Sequence, residues 1–433
     1  MARSGKIRKL LGDSFHEGDV SPRAKPLIIE FSNFPGGPEI FELSARFCYG
    51  ISFELTSADI APLRCAAEFL EMIGEENLIG RTEAFLNEVV FESVEKSARV
   101  LHSCEGIMAL AEQTRLVSRC IDVIASKVCY EEQKRSAALV RKDSRNQPRR
   151  LNNGYEASLW NLDIHALRDE SSSSGKVKGE YWWVECLLPL RFNLYQRVFT
   201  AMKASGLPCE VLTGLLMQYA HKFLRELEKQ NTIKQMVRTS PSIKSSKTRQ
   251  LSFESSPKRI QPHEQRIILE MIVSLLPGRE ALFPINFLLI LLRKAILLDT
   301  TVACRLDLER RIGLQLEQAT VDDLLIPLSS SNAGNPMFDV DVVMRVLISY
   351  LEQEENCFTS DNGDPSGSLG SQKGMQNVSK LMDLYLAEVA PDPNLDTTKF
   401  VSLAELLPGY ARVLDDGLYR AIDIFLKVFF TTP

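Results

Sequence analysis

Apolar residues recur at helical spacing along most of the chain and alternate with polar residues in two short segments. The helical spacing predicts N-terminal helices over 39–49, 56–72, 77–90, 94–103 and 107–129. It predicts later helices over 187–227 with a break at 206–208, then 263–276, 284–298, 303–316, 340–355, and 378–430 with a break at 391–393. Alternation over 27–31 and 51–55 predicts two strands. The fold class indicated is mainly α, with a small α/β portion near the N-terminus.

The periodicity is lost in three polar segments, at about 131–180, 232–262 and 357–376. Such stretches, rich in Ser, Gly and charged residues, are typical of linkers and disordered insertions. They divide the chain into a first region over 1–130, a polar linker over 131–180 and a helical domain over 181–433. We expect the second and third segments to be disordered insertions within that domain.

Composition excludes several classes of protein. The formal net charge is −5, which argues against a nucleic-acid-binding protein, since these are usually strongly basic. The nine cysteines form no CxxC pair, which indicates reduced thiols in a cytosolic or nuclear protein. The longest apolar stretch, 285–298, is shorter than the roughly 20 residues that a bilayer requires, so no membrane span is predicted. We expect a cytoplasmic location, with peripheral attachment at the plasma membrane as an option.

No catalytic constellation is recognisable in the sequence. There is no phosphate-binding loop, no GxSxG elbow and no HExxH, and the five histidines lie far apart. The adjacent carboxylates Asp322-Asp323 and Asp415-Asp416 fit helix caps better than an acid/base pair, because neighbouring helical residues point in different directions. The sequence therefore predicts no catalytic residue, no cofactor and no metal site.

The second polar segment contains candidate phosphorylation sites. Arg249 precedes Ser252 by three residues, and Ser240 and Ser256 are each followed by proline. A phosphate there would add nearly two negative charges to a cationic segment. The alternative is an unmodified, solvated linker.

Aromatic residues stand at two further positions of interest. Trp182 and Trp183, preceded by Tyr181, restart the apolar pattern, and we interpret them as core anchors in preference to a ligand platform. Tyr419 is a candidate phosphorylation site, but the apolar helix that follows it favours a structural role.

Several segments have distinctive residue runs: 33–43, 45–50 and 61–72 in the first region, and 304–305, 308–313, 318–320, 323–327 and 399–405 in the helical domain. These segments resemble the plant BTB proteins of the phototropism-signalling (NPH-three/RPT-two-like) family. The signature residues we assign from this resemblance are Phe34, Pro35, Gly36, Gly37, Phe47, Tyr49, Gly50, Trp182, Trp183, Asp415, Asp416, Gly417 and Tyr419.

The resemblance implies a partial BTB/POZ domain followed by an NPH-three-type helical domain, with both ends of the chain shorter than in the family. It further implies a substrate adaptor of a cullin-three ubiquitin ligase, with a cullin-three-type scaffold and signalling kinases or transporter-associated proteins as partners. BTB-mediated homo- or hetero-oligomers are also implied. A scaffold that acts without a ligase is the alternative.

Overall fold

The computed structural model of the chain describes residues 3–15, 28–74, 76–143, 181–239, 261–278, 283–328, 336–360, 367–412 and 414–431. The chain forms two compact units, Met1–Glu228 and Lys229–Pro433. Both consist mainly of helices joined by turns and short irregular segments.

The helices of the first unit are α1 (Gly5–Phe15), α2 (Gly37–Cys48), α3 (Ile60–Phe69), α4 (Leu78–Phe85), α5 (Val94–Ser103), α6 (Met108–Gln113), α7 (Leu116–Asp143), α8 (Trp182–Leu187) and α9 (Phe192–Ala204), followed by α10 (Cys209–Thr239), which continues into the second unit. A π-helical turn (Leu86–Val90) follows α4, and a 3-10 turn (Cys104–Ile107) follows α5.

Helix α3 lies at the centre of the first unit, against α2, α4, α5 and α6. Its residues from Ile60 to Ala67 are buried with the exception of Pro62, and several of them are alanines that let neighbouring helices approach closely. Helix α7 packs against α5, α6 and α9. Burial of apolar side chains, at roughly 1.5–3 kcal/mol for each large one, therefore stabilises this unit.

The helices of the second unit after α10 are α11 (Pro262–Leu275), α12 (Ile285–Leu297), α13 (Val302–Gly313), α14 (Val321–Leu324), α15 (Val340–Ser360), α16 (Gly367–Val389), α17 (Thr397–Leu406) and α18 (Asp416–Thr431). Short 3-10 turns cover Leu316–Gln318 and Gly409–Ala411.

Close helix contacts build the second unit. Helix α13 packs on α12 and α15, and a Cβ on Gly313 would lie 2.9 Å from Cβ of Ser349, so only glycine fits at this crossing. Arg345 on α15 donates two hydrogen bonds to the buried Glu309 on α13, at 2.8 and 2.9 Å. Helix α18 packs on α16, and Phe425 stacks on Phe400 with ring centroids 4.4 Å apart.

The predicted strands are wrong for the residues that the structure describes. Residues 28–31 and 51–55 are irregular, and the pairing recorded in the described ranges is an isolated bridge between Pro327 and Phe338. Both segments are held by side chains instead. Phe31 packs against Phe34 and Phe69, and Arg81 lies over the Phe53 ring. A strand needs a hydrogen-bonded neighbour, and neither segment has one among the described residues.

The continuous helix predicted over 107–129 is broken. Arg115 takes a positive φ of 54° between α6 and α7, and its N–H donates to the carbonyl of Glu112. The break lets α6 fold back against α7 while also contacting α3, which one straight helix would not permit. The long-range packing thus overrides the local helical pattern.

Helices extend into the polar segments further than predicted. Helix α7 continues to Asp143. In this extension Glu132 is buried and pairs with Arg135, whose guanidinium lies 4.4 Å from the Tyr181 ring centroid. Helix α10 continues to Thr239. The segment predicted as disordered at 357–376 is helical up to Ser360 and from Gly367, since the buried Met375 and later α16 residues anchor that helix.

Candidate interaction surfaces

A tight turn before α2 contains four of the predicted signature residues. Gly36 has a φ of 76°, and a Cβ there would lie 2.4 Å from Ile40 Cγ1. Phe34 packs edge-on against Phe69 with ring centroids 5.5 Å apart, while Pro35 is buried. Gly37 also has a positive φ, of 70°, with open space around it. These residues therefore fix the entry into α2 and are structural.

The other end of α2 presents apolar side chains to solvent. Phe47 is buried, with the Arg3 guanidinium 4.9 Å from its ring centroid, whereas Tyr49 is 81% exposed. Gly50, with a φ of 74°, turns the chain directly after Tyr49, and the next residue, Ile51, is also exposed. We call Tyr49 and Ile51 the α2-exit surface. Large exposed apolar side chains on a rigid turn are typical of contact sites for other proteins.

A polar network stiffens the first unit. Glu83 on α4 accepts a hydrogen bond from Arg64 on α3 and another from Arg119 on α7, both at 2.8 Å. Arg64 also donates to Glu68 at 2.7 Å, and Arg119 donates to Asn87, which lies in the π-helical turn. The network joins three helices through one carboxylate.

Burial alone would raise the pKa of Glu83, but the hydrogen bonds and positive charges of Arg64 and Arg119 outweigh it and leave the pKa below its ordinary value of 4.5. Glu83 therefore stays ionised at neutral pH, and the network has the character of a structural ion-pair cluster. The sequence pattern singled out none of these residues, since acidic and basic residues on a helix are usually solvated.

The aromatic cluster Tyr181, Trp182 and Trp183, at the start of the predicted helical domain, is part of the core. Tyr181 and Trp183 are buried with ring centroids 6.3 Å apart, and Trp182 is half-buried. The interpretation of these residues as core anchors agrees with their burial, and the ligand-platform alternative does not.

The Asp-Asp-Gly-Leu-Tyr segment begins α18. Gly417 lies against Asp383 of α16, and Asp383 forms an ion pair with Arg412 at 3.1 Å between Oδ1 and Nε. Burial raises the pKa of Asp383; Arg412 opposes the rise and Asp415 adds to it. Gly417 is thus a packing residue, while Asp415 and Asp416 are exposed at the N-terminal end of the helix, where carboxylates are favoured.

Tyr419 differs from the structural role that we predicted for it. Its side chain is 66% exposed and points away from the core of the second unit. Helix α18 does pack on α16, and its buried residues Ala421 and Phe425 lie on the face opposite Tyr419. Ser240, Ser252 and Ser256 lie outside the described residues.

Five of the cysteines that the structure describes are buried, at positions 65, 104, 120, 129 and 304, whereas Cys209 is exposed. Burial raises the pKa of Cys65 to about 11 and that of Cys120 to about 12, and it also raises the pKa of Cys104. Such thiols are protonated and poorly nucleophilic at neutral pH. In the described ranges, no group of three His, Cys, Asp or Glu side chains is arranged to hold a metal ion.

Within the same ranges, no helix has both the length and the apolar content that a membrane crossing requires.

Comparison with known proteins finds similar proteins from a plant. It is 42% identical over 435 residues to the BTB/POZ domain-containing protein SR1IP1 of Arabidopsis thaliana, with 99% of this chain and 63% of the relative covered. It is 38% identical to the BTB/POZ domain-containing protein SETH6, covering 99% and 61%, and 36% identical to Root phototropism protein 2, covering 99% and 62%, both also from Arabidopsis thaliana.

The chain thus spans less than two thirds of the length of these relatives. No solved structure matches it. Residues 181–431, more than half of the chain, match the NPH3 family. The chain therefore belongs to the NPH3 family.

Proposed function

We propose that this chain is a non-catalytic substrate adaptor of a cullin-three ubiquitin ligase, in plant signalling of the phototropism or auxin-transport type. An adaptor holds a target protein beside the ligase and so raises its effective concentration, without performing chemistry itself. The names of its relatives, which include BTB/POZ domain-containing proteins and a root phototropism protein, support this class of function.

The observation that carries the proposal is the α2-exit surface. Tyr49 lies between the buried Phe47 and the positive-φ Gly50, so its backbone is positioned by the end of α2 while its ring stands in solvent. A preorganised tyrosine loses little conformational entropy on binding, which is why tyrosines often dominate interfaces. We assign cullin docking to this surface of the first unit.

We assign the remaining partners to the second unit. Signalling kinases or transporter-associated proteins are the targets we propose for its helical surface, which exposes apolar residues such as Tyr410 and Leu414. A cytoplasmic location, with peripheral recruitment to the plasma membrane by such a partner, belongs to the same proposal. So do BTB-mediated oligomers.

A second candidate is a signalling scaffold that acts without a ligase and links a membrane photoreceptor kinase or an auxin transporter to its regulators. It is favoured by one observation. Residues 28–74, which carry most of the BTB resemblance, contain no strand, whereas the NPH3 match runs from residue 181 to residue 431. A scaffold would need only the NPH3 region, residues 181–431, for its contacts.

Binding to the purified amino-terminal domain of a cullin-three protein separates the two candidates. The chain, its Tyr49→Ala variant and its Tyr410→Ala variant are passed over the immobilised cullin domain. Tyr410 is the matched control because its side chain is 65% exposed but lies in the second unit.

The adaptor proposal predicts that the chain and Tyr410→Ala bind equally, and that Tyr49→Ala binds at least about tenfold more weakly, as for a hot-spot residue. Absence of binding by all three proteins would contradict the adaptor and favour the scaffold. Equal binding by all three would remove the assignment of docking to the α2-exit surface.

A further inference from the structure

The outward face of α18 is an apolar stripe. Tyr419, Leu426 and Phe430 are 66%, 44% and 78% exposed, and their spacing of seven and then four residues places them along one side of the helix. The residues that pack inward, Ala421 and Phe425, lie on the other side. The stripe extends for about 16 Å at 1.5 Å per residue.

Charged residues of alternating sign follow one edge of this stripe. In order they are Asp416, Arg420, Asp423 and Lys427, and all four are exposed. Asp423 and Lys427 already pair within the helix at 2.6 Å. The edge therefore begins with a negative charge and ends with a positive one.

This order of charges is complementary to itself when two copies run antiparallel. With the midpoint of the pair between Ala421 and Ile422, Asp416 of one helix lies opposite Lys427 of the other, and Arg420 lies opposite Asp423. In a parallel two-fold pair the two charged edges would instead lie on opposite sides of the seam and would not meet. The pattern thus selects a two-fold antiparallel arrangement, which is the commonest symmetry of homodimers.

The apolar residues fit the same arrangement. Tyr419 comes within two residues of the level of Leu426 in the second copy, about 3 Å along the axis. Phe430 reaches the level of Leu414, which is 73% exposed just before the helix. Each exposed apolar side chain of the stripe therefore gains an apolar neighbour from the second copy.

We propose that α18 is a self-association surface, on which a second copy of this chain docks antiparallel through Tyr419, Leu426 and Phe430, with the register set by Asp416, Arg420, Asp423 and Lys427. One helix on each side makes a small interface, so the dimer is weak and its population depends on concentration. Exposed ion pairs contribute mainly register and specificity.

Two charge-reversal variants test the register directly. In a dimer of Arg420→Glu, the introduced glutamate would face Asp423 of the second copy, so two carboxylates meet at each of two places. In a dimer of Asp423→Arg, the introduced arginine would face Arg420 of the second copy, so two guanidinium groups meet instead. Both variants should therefore lose self-association.

A mixture of the two variants reverses that outcome. The glutamate introduced in one chain would then face the arginine introduced in the other, and the unchanged Asp423 of the first would face the unchanged Arg420 of the second. Opposite charges meet at both places, so the mixture should form heterodimers.

Sedimentation equilibrium over a concentration series supplies the measurement, with Arg99→Glu in the first unit as the matched control for reversal of an exposed arginine. We expect a rise in mass towards a dimer for the chain and for the control, at least about tenfold weaker dimerisation for each reversal alone, and recovery in the mixture. The recovery also shows that the variants fold. A chain that stays monomeric throughout, or a mixture that behaves like its components, would overturn the proposal.

Discussion

Gly417 approaches Asp383 so closely that a Cβ on Gly417 would lie 3.0 Å from the Asp383 Cβ. Asp383 is buried and tied to Arg412, so it has little room to move. The contact explains why a glycine stands in the first turn of α18, where helix propensity alone would favour almost any other residue.

Substitution of Gly417 should therefore destabilise the second unit. We expect Gly417→Ala to lower the free energy of unfolding by about 1–2 kcal/mol, because the added methyl overpacks the contact with Asp383. Urea denaturation of the full chain measures this. Gly409→Ala is the control, since a Cβ at Gly409 meets no atom within 4 Å, and it should stay within about 0.5 kcal/mol of the native chain. Equal stabilities for the two variants would show that the contact is unimportant.

The Asp383–Arg412 pair itself should behave as a buried ion pair. Arg412→Met leaves the Asp383 carboxylate buried without its partner, and we expect a loss of about 3 kcal/mol. The double variant Asp383→Leu/Arg412→Met removes both charges and should recover most of that loss. Urea denaturation of Arg412→Met and of the double variant measures this recovery. If the double variant is no more stable than Arg412→Met, the loss does not come from an unpaired buried carboxylate and this interpretation is wrong.

Acid should weaken the first unit through Glu83. Its pKa is lowered in the folded chain, so the folded state binds a proton there less readily than the unfolded state does. The stabilisation is therefore present above the ordinary pKa of 4.5 and is lost as the pH falls below it. Thermal melting followed by circular dichroism between pH 7 and pH 3 measures the decline.

In that experiment Glu83→Gln should be less stable than the native chain at pH 7, by about 2 kcal/mol, and should lose less on acidification. The exposed Glu88 offers a matched substitution, and Glu88→Gln should leave both the stability and the decline unchanged. Parallel declines for the native chain and Glu83→Gln would rule out Glu83 as the acid-sensitive group.

Thiol reactivity should separate buried from exposed cysteines. Burial raises the pKa of Cys65 from 9.0 to about 11, which lowers its thiolate fraction about hundredfold, and it adds a steric barrier. Cys209, at the start of α10, is exposed. Alkylation at about pH 7.5, below the ordinary thiol pKa, followed by peptide mass mapping should show Cys209 modified well before Cys65, Cys104 and Cys120. Simultaneous modification would mean that the core of the first unit opens readily.

Local sequence patterns are sufficient for most helices but not for contacts between distant residues. The helix predicted over 94–103 has the same ends in the structure, and the Gly206 break separates α9 from α10 as expected. The break at Arg115 depends on packing of α6 against α3 and α7, which no local pattern encodes. The alternating pattern at 51–55 predicts a strand, but a strand forms only beside a pairing strand, and the described residues supply none.

The functional interpretation has the same limit. The resemblance identifies Gly36 and Gly417 as signature residues, but only the structure shows that Ile40 and Asp383 fill the space beside them. The Glu83 network joins residues from three helices and leaves no signal in the spacing of charges. The apolar neighbours of Tyr419 favour a structural role for it, although the helix turns its side chain outward.

The most direct test of the adaptor proposal is transfer of ubiquitin in a reconstituted cullin-three ligase. An adaptor docked on the ligase brings its own lysines near the transfer site, so the chain should itself be modified even without a known target. We predict ubiquitin on the native chain and on Tyr410→Ala, and at least about tenfold less on Tyr49→Ala. No modification of the native chain, at concentrations where the reconstituted ligase is active on a known adaptor, would contradict the proposal.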